Sequence, residues 1–283
     1  MIAQNRFCLN RKVAPGISLT DTIPFVAKLG IPNIELRNDL YGAPDNQTIL
    51  DQLDGATVAA LLKKHQVSVE TINAVGNMDQ RALIDENLKS LTEMLELCKA
   101  LPVKKIVFCP VRSQADRRSS AQRQAEAIAN IKEYAQLLTK YQVNGLIEPL
   151  GFEDSTLRTP WDGQEIIRKA GVTNFKLVAD TFHYYLANVT SQQFQEQVDV
   201  NAIGLVHLSG VPTMKARNRL DDQDRYMLDP ADIMQSAAWA RTFEAAGYQG
   251  IYAFEPFSDD LKQWQLDQVK QELEKSIALV QGE

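Results

Sequence analysis

Histidine and cysteine are scarce in this chain, at three residues each in 283. Cys8, Cys98 and Cys109 lie far apart without metal-ligand spacing, and an odd count does not suggest a disulfide framework. Long apolar runs are missing too. None reaches the length of a membrane span, and Met1–Arg6 has no signal-like apolar core, so the expected location is the cytoplasm. Basic charge is in deficit: 36 Asp and Glu against 30 Lys and Arg give a formal charge of -6. Nucleic acid is therefore not an expected partner, because phosphate binding needs basic patches. Glycine- or serine-rich linkers, low-complexity tracts and short repeats are absent, which leaves one domain spanning residues 1–283 as the expectation.

What is present is an ordinary soluble composition, 45% hydrophobic and 23% charged, arranged in a regular rhythm. Short apolar runs alternate with helical patterns. Strands are expected at Arg6–Asn10, Asn33–Arg37, Val67–Asn73 and Lys104–Cys109, then at Val143–Glu148, Phe175–Asp180, Ile203–Leu208 and Gly250–Phe254. Helices are expected at Thr20–Leu29, capped by Ser18 or Thr20, and at Gly55–His65, Asp79–Ala100 and Ser119–Tyr141. Others follow near Trp161–Ala170, after Thr190, at Pro230–Ala246 with Pro230 in the first turn, and at Asp259–Val280. Eight strands, each followed by a helix, point to a single (β/α)8 TIM barrel. An open doubly wound sheet would need a glycine-rich phosphate turn after its first strand, and there is none.

Four of the apolar runs end alike. Leu177, Val178 and Ala179 stop on Asp180, with His183 in the turn, and three other runs stop on Glu148, His207 and Glu255. A lone Asp or His at a strand end reads as a capping or packing residue. Four successive strands ending in Glu, Asp, His and Glu read as one site, because barrel active sites sit at the C-terminal ends of the strands. Three carboxylates brought together repel unless protonated or bridged by a cation. Three oxygens and one imidazole suit a divalent metal with open positions, namely Mn²⁺, Co²⁺, Mg²⁺ or Zn²⁺.

Over its whole length the chain resembles the sugar-phosphate isomerase/epimerase superfamily of xylose-isomerase-like TIM barrels, and is most similar to the inosose (2-keto-myo-inositol) isomerases. The resemblance is carried by Phe7-Cys8-Leu9-Asn10-Arg11-Lys12, Glu35-Leu36-Arg37-Asn38-Asp39, Thr71-Ile72-Asn73-Ala74-Val75 and Glu148-Pro149-Leu150-Gly151-Phe152. It continues in Asp180-Thr181-Phe182-His183, Val206-His207-Leu208-Ser209-Gly210 and Phe254-Glu255-Pro256-Phe257. It implies that Glu148, Asp180, His207 and Glu255 bind one divalent metal, that Glu148 and Glu255 are also the acid–base pair, and that His183 contacts substrate oxygens. The implied reaction is isomerisation of a keto-polyol through a metal-stabilised enediolate.

Other residues keep two readings. Lys215, Arg217, Arg219 and Arg225 compete for a substrate-binding role after the histidine ligand; Arg225 is preferred because it lies just before the next helix. Glu35 and Arg37 could reach a polyol or form an ion pair that shapes the rim. Asn73 is a candidate substrate hydrogen-bonder, Cys109 reads as a packing residue, and His65 suits the C-terminal end of its helix without a catalytic role. A ketose 3-epimerase, a dehydroshikimate-dehydratase-type lyase and a non-catalytic sugar-binding barrel are the competing functions. Histidine-rich trinuclear zinc phosphodiesterases share the fold, but this chain has too few histidines and the wrong charge. No second carboxylate cluster suggests the second metal of a hydride-shift isomerase. Barrels of this class often form homo-oligomers, but no patch in the sequence marks an interface.

Overall fold

Parallel strands hydrogen-bond to their neighbours only if crossovers return the chain to the same edge, and here helices do so all the way round. The computed structural model describes residues 1–282. Its strands are β1 (Phe7–Asn10), β2 (Asn33–Arg37), β3 (Ser68–Val75), β4 (Lys105–Phe108), β5 (Asn144–Ile147), β6 (Phe175–Asp180), β7 (Ile203–Leu208) and β8 (Tyr252–Phe254). They pair in chain order, all parallel, and β8 pairs with β1 to close an eight-stranded barrel. The helices are α1 (Leu19–Lys28), α2 (Gly55–His65), α3 (Ile84–Cys98), α4 (Ser120–Tyr141), α5 (Pro160–Ala170), α6 (Thr181–Leu186), α7 (Ser191–Gln197), α8 (Ser236–Ala245) and α9 (Leu266–Gln281). No helix among the described residues is long and apolar enough to cross a membrane.

The side-chain period of two divides every strand between two environments. Outward residues such as Phe7, Leu9, Ile34, Leu36, Ile72, Phe108, Ile147, Leu177, Val206 and Phe254 belong to the main core, packed against the helices. Inward residues Cys8, Val107, Leu146, Val178, Leu205 and Ala253 form a separate apolar plug inside the barrel. One inward step toward the strands' C-terminal ends stand Asn10, Glu148, Asp180, His207 and Glu255. The apolar runs of the sequence thus cover the barrel on both faces and give way to polar groups at one end.

Local chemistry sets the helix ends, and it moves three of the expected boundaries. Ser18 caps α1 by accepting from Asp21 N, and Ser119 and Gln122 make a reciprocal capping box on α4. Helix α3 begins at Ile84 rather than Asp79, because the Asp79 carboxylate turns inward and accepts from Val111 N at 2.7 Å. Helix α8 begins at Ser236 rather than Pro230. Asp232 accepts from Val211 N (2.9 Å), Met234 N (3.0 Å) and Ser236 N (2.8 Å), holding the preceding segment as a loop, and Gln235 is left-handed with φ 57°. The final helix is interrupted: a 3₁₀ turn at Asp259–Gln263 ends on an extended Trp264, and α9 starts at Leu266. Strand β3 runs to Val75, so Asn73 lies within it and not at its end.

Candidate active site

Asp180 closes β6 and opens α6. Its Oδ1 accepts from Phe182 N (2.7 Å) and His183 N (3.2 Å), the bonds of a helix N-cap. Its Oδ2 is left facing the barrel mouth, where Arg225 Nη2 donates at 2.7 Å. His207 pairs in register with Asp180 on one side and with Ala253 on the other. Glu148 and Glu255 each stand one residue beyond their strands, but their amides still bond to the neighbouring strands, Glu148 N to Phe108 O (3.0 Å) and Glu255 N to Leu208 O (2.8 Å).

The backbone therefore aims four side chains at one point. His207 Nδ1 lies 2.7 Å from Glu148 Oε1, 3.1 Å from Glu255 Oε2 and 3.9 Å from Asp180 Oδ2. One ligand atom from each of Glu148, Asp180, His207 and Glu255 falls within 4.8 Å of all the others. The far side of the imidazole is fixed as well, with Nε2 3.1 Å from Glu35 Oε2. A carboxylate on the outer nitrogen sets the tautomer that leaves the inner nitrogen free to bind.

Charge decides what this cluster needs. Glu35, Glu148, Asp180 and Glu255 are buried carboxylates, and Arg37 and Arg225 are the buried guanidiniums that meet them. With His207 neutral, the four acids and two bases leave two negative charges in a desolvated space. Burial pushes the carboxyls of Glu148 and Asp180 up, against the pull of His207 and Arg225 respectively. Burial also works against ionising Glu255, but His207 and Arg225 outweigh it and hold that carboxyl well below the usual range. Burial opposes a proton on His207, yet Glu255, Glu35 and Glu148 raise it well above the ordinary imidazole value. A divalent cation would answer each of these demands: it would supply two positive charges, favour the ionised forms of Glu148 and Asp180, and take the place of the imidazole proton. The donor set fits such an ion.

The remaining expected residues are brought to the same place in different ways. Arg225, preferred among four bases, reaches the centre: Nη2 also donates to Glu255 Oε2 (2.8 Å) and Nε to Ser209 Oγ (3.2 Å). Lys215 pairs instead with Asp224 (2.7 Å), and Arg217 lies over the Tyr185 ring. Arg37 Nη1 donates to Glu255 Oε1 (2.5 Å), while Nε and Nη2 grip Asp39. Asn73 Nδ2 donates to Glu35 Oε1 (3.0 Å) and Glu255 Oε1 (3.2 Å). His183 is buried edge-on against Phe152 and Phe182, and its Nδ1 has no hydrogen-bond partner. Burial, aided by Arg225, pushes the His183 pKa down to about 4, so the ring is neutral. Cys109 does more than pack: its Sγ lies 3.7 Å from Glu148 Oε2, and burial with that neighbouring charge keeps the thiol protonated.

Four contributors went unassigned in the sequence. Asn10 Nδ2 donates to Glu255 Oε1 (3.2 Å), Asp39 anchors Arg37, Ser209 receives Arg225, and Phe257 lies against both arginines. Asn10 had a usable signal, since it follows inward-facing Cys8 by the two-residue period. Asp39, Ser209 and Phe257 act through loop geometry that carries no period.

A closed parallel barrel with a buried carboxylate–imidazole centre at the strands' C-terminal ends defines the class. Residues 23–279 match the family model described as xylose isomerase-like TIM barrel, and the chain belongs to that family. It is 24% identical to an inosose isomerase of Bacillus velezensis over 175 residues, a match spanning 60% of each protein. Among solved structures it resembles a xylose isomerase domain containing protein of Salmonella typhimurium LT2, with 35% identity, a TM-score of 0.92 and 99% of both chains covered. The IolI protein, crystallised with a bound zinc atom, shares the fold at 19% identity and a TM-score of 0.87 over 98% of both chains.

Proposed function

We propose that this chain is a metal-dependent isomerase of a keto-polyol, with inosose as the leading substrate, working by proton transfer. The observation that carries the proposal is the convergence of Glu148, Asp180, His207 and Glu255 on one buried point, three carboxylates and one imidazole with a ligand atom each within 4.8 Å of the others. In this reading the four residues hold one divalent ion, Mn²⁺, Co²⁺, Mg²⁺ or Zn²⁺, His207 through Nδ1. When bound, the ion supplies Lewis-acid polarisation of the substrate's carbonyl and neighbouring hydroxyl oxygens.

The protein's own groups divide the rest of the work. Glu148 and Glu255 enter from β5 and β8, so their carboxylates address the reacting carbons from different sides. Glu255 is the more firmly held anion: Oε1 accepts from Asn10, Asn73 and Arg37, and Oε2 from Arg225. Glu148 meets only His207 and the Cys109 thiol and is held by no arginine. Glu148 is therefore the better carrier of the proton taken from the carbon beside the carbonyl, and Glu255 serves the return. Neutral His183, with Nδ1 unpartnered, is placed to hydrogen-bond a substrate oxygen, and Arg225 to orient a second one. Glu35, Arg37 and Asn73 hold the carboxylates and the imidazole in place. The enzyme classification is supported by the family and by the inosose isomerase relative. A ketose 3-epimerase is the second reading, because the same two glutamates acting on a ketose would perform it.

The test is turnover by metal-loaded protein of inososes, ketohexoses and dehydroshikimate in D₂O, followed by NMR. Isomerisation of an inosose with deuterium entering at the reacting carbon, abolished by Glu148→Gln and by Glu255→Gln, is the expected result. Turnover of ketohexoses alone moves the assignment to the epimerase, and loss of water from dehydroshikimate moves it to the lyase. Full protium retention at equilibrium with activity intact overturns the two-glutamate mechanism.

A further inference from the structure

We infer that Phe257 is a positioning residue, holding together the two guanidiniums that grip opposite oxygens of Glu255. The inference rests on the reading of Glu255 as metal ligand and proton carrier. Arg37 comes from β2 and Arg225 from the loop after β7, yet both converge on one carboxylate, Arg37 at Oε1 (2.5 Å) and Arg225 at Oε2 (2.8 Å). Two guanidiniums at one buried carboxylate repel each other, and burial denies them water as a screen. The ring of Phe257 stands where it offsets that repulsion. Its centroid is 4.9 Å from Arg37 Cζ, 4.5 Å from Arg225 Cζ and 4.9 Å from Lys12 Nζ, all inside the range in which a cation is drawn to an aromatic face. Among the described residues it is the one ring within reach of both guanidiniums.

The ring is itself fixed. Phe257 follows Glu255 by two residues, across Pro256, and Phe257 N and Ser258 N both donate to Arg225 O at 3.0 Å. The backbone that carries the carboxylate thus also clasps the arginine that binds it. On the other side, Asp39 holds Arg37 through Nε (2.6 Å) and Nη2 (3.0 Å), leaving Nη1 to point at Glu255. Asp39 and Phe257 together determine which nitrogen of Arg37 meets the carboxylate. Phe257 is half-buried, with its ring against the two arginines.

A leucine fills much of the same space but offers no π face. The experiment compares Phe257→Leu and Phe257→Tyr with the wild type, reading Mn²⁺ affinity by calorimetry, kcat and KM on the turned-over keto-polyol, and the thermal melt. Phe257→Leu is expected to weaken Mn²⁺ binding and lower kcat by about ten-fold each with KM nearly unchanged, the scale of one or two lost cation–π contacts. Phe257→Tyr is expected to restore both, and the metal-free forms of all three proteins to melt alike. Asp39→Asn, acting on Arg37 from the far side, should shift the same two quantities in the same direction, and it stands in should the leucine variant fail to fold. Wild-type affinity and kcat in Phe257→Leu, or a deficit that tyrosine does not rescue, overturns the inference while leaving the isomerase reading intact. A wild type that binds Mn²⁺ but turns over no keto-polyol overturns the isomerase reading, and the affinity measurements alone then decide the role of Phe257. A wild type that binds no Mn²⁺ removes the premise for both.

Discussion

The two ends of the barrel interior handle buried charge in opposite ways. At the N-terminal end, Glu70 on β3 accepts from Lys104 Nζ (2.9 Å) and from Lys105, whose ammonium also donates to Gly204 O (3.0 Å). One carboxylate meets two ammoniums, one of them half-exposed, and nothing further is required. At the C-terminal end, four buried carboxylates meet two guanidiniums and one imidazole, and even a protonated His207 leaves the acids in excess. The apolar plug of Cys8, Val107, Leu146, Val178, Leu205 and Ala253 separates the two clusters. Polar residues thus form an ion cluster closed by lysines below the plug and an acid-rich cluster above it. What distinguishes them is whether the protein supplies the counter-charge itself.

The largest expected effect comes from altering the end that does not balance. Glu148→Gln or Asp180→Asn should lower divalent-metal affinity by about 100-fold or more, since even supporting residues of a metal centre are worth 10–100-fold. Calorimetric titration checks this, and wild-type affinity in either variant would remove that residue from the ligand set. In the wild type, a metal at about 1,000 times its Kd adds about 4 kcal/mol of stability, so a chelator should lower the melting temperature by several degrees and stop turnover. A smaller effect separates ligand from neighbour within the same end. His183→Ala should keep metal affinity within about two-fold while costing about ten-fold or more in kcat/KM, a loss of roughly 1.4 kcal/mol or more in transition-state binding. Loss of metal in that variant would place His183 among the ligands.

The smallest effect belongs to the closed end. Burial alone would raise the Glu70 carboxyl, but Lys105 and Lys104 outweigh it and the carboxyl sits below its ordinary value. A carboxyl depressed by folding contributes stability that is fully present above its unfolded pKa and is lost as pH falls through the folded one. Glu70→Gln should therefore destabilise the protein by about 2 kcal/mol at pH 7, moderated because Lys104 is half-exposed, and the difference should narrow below about pH 4.5. Urea unfolding at several pH values measures it. Metal affinity should not change, and a change would mean that the plug transmits between the two ends.

The candidate site was legible in the sequence where periodicity carried it. Glu148, Asp180, His207 and Glu255 each end an apolar run, and the barrel turns that shared position into convergence. Arg225 was legible only as one of four bases, because the loop after β7 has no period to rank them. Glu70 and Lys105 carry no such signal although they lie on strands, since a charge inside a β-run shows its partner only once the barrel closes. The displaced starts of α3 and α8 share one cause: Asp79 and Asp232 bond to backbone amides 32 and 21 residues away, beyond the reach of local propensity. Helix α6, six residues long, is too short to show a helical repeat.

The spacing of Asp180 and His183 has a mechanical meaning of its own. Three residues is the reach from a helix-capping side chain to the third amide of its helix, and that amide belongs to His183. The length of the Asp-x-x-His segment is thus a unit of hydrogen-bond geometry. Insert or delete one residue there and the aspartate would cap a different amide, turning the imidazole about 100° around the helix axis, the angle of one residue in 3.6 per turn. Asp180 and His183 are joined through this cap as one part, so this stretch can vary in residue type far more readily than in length.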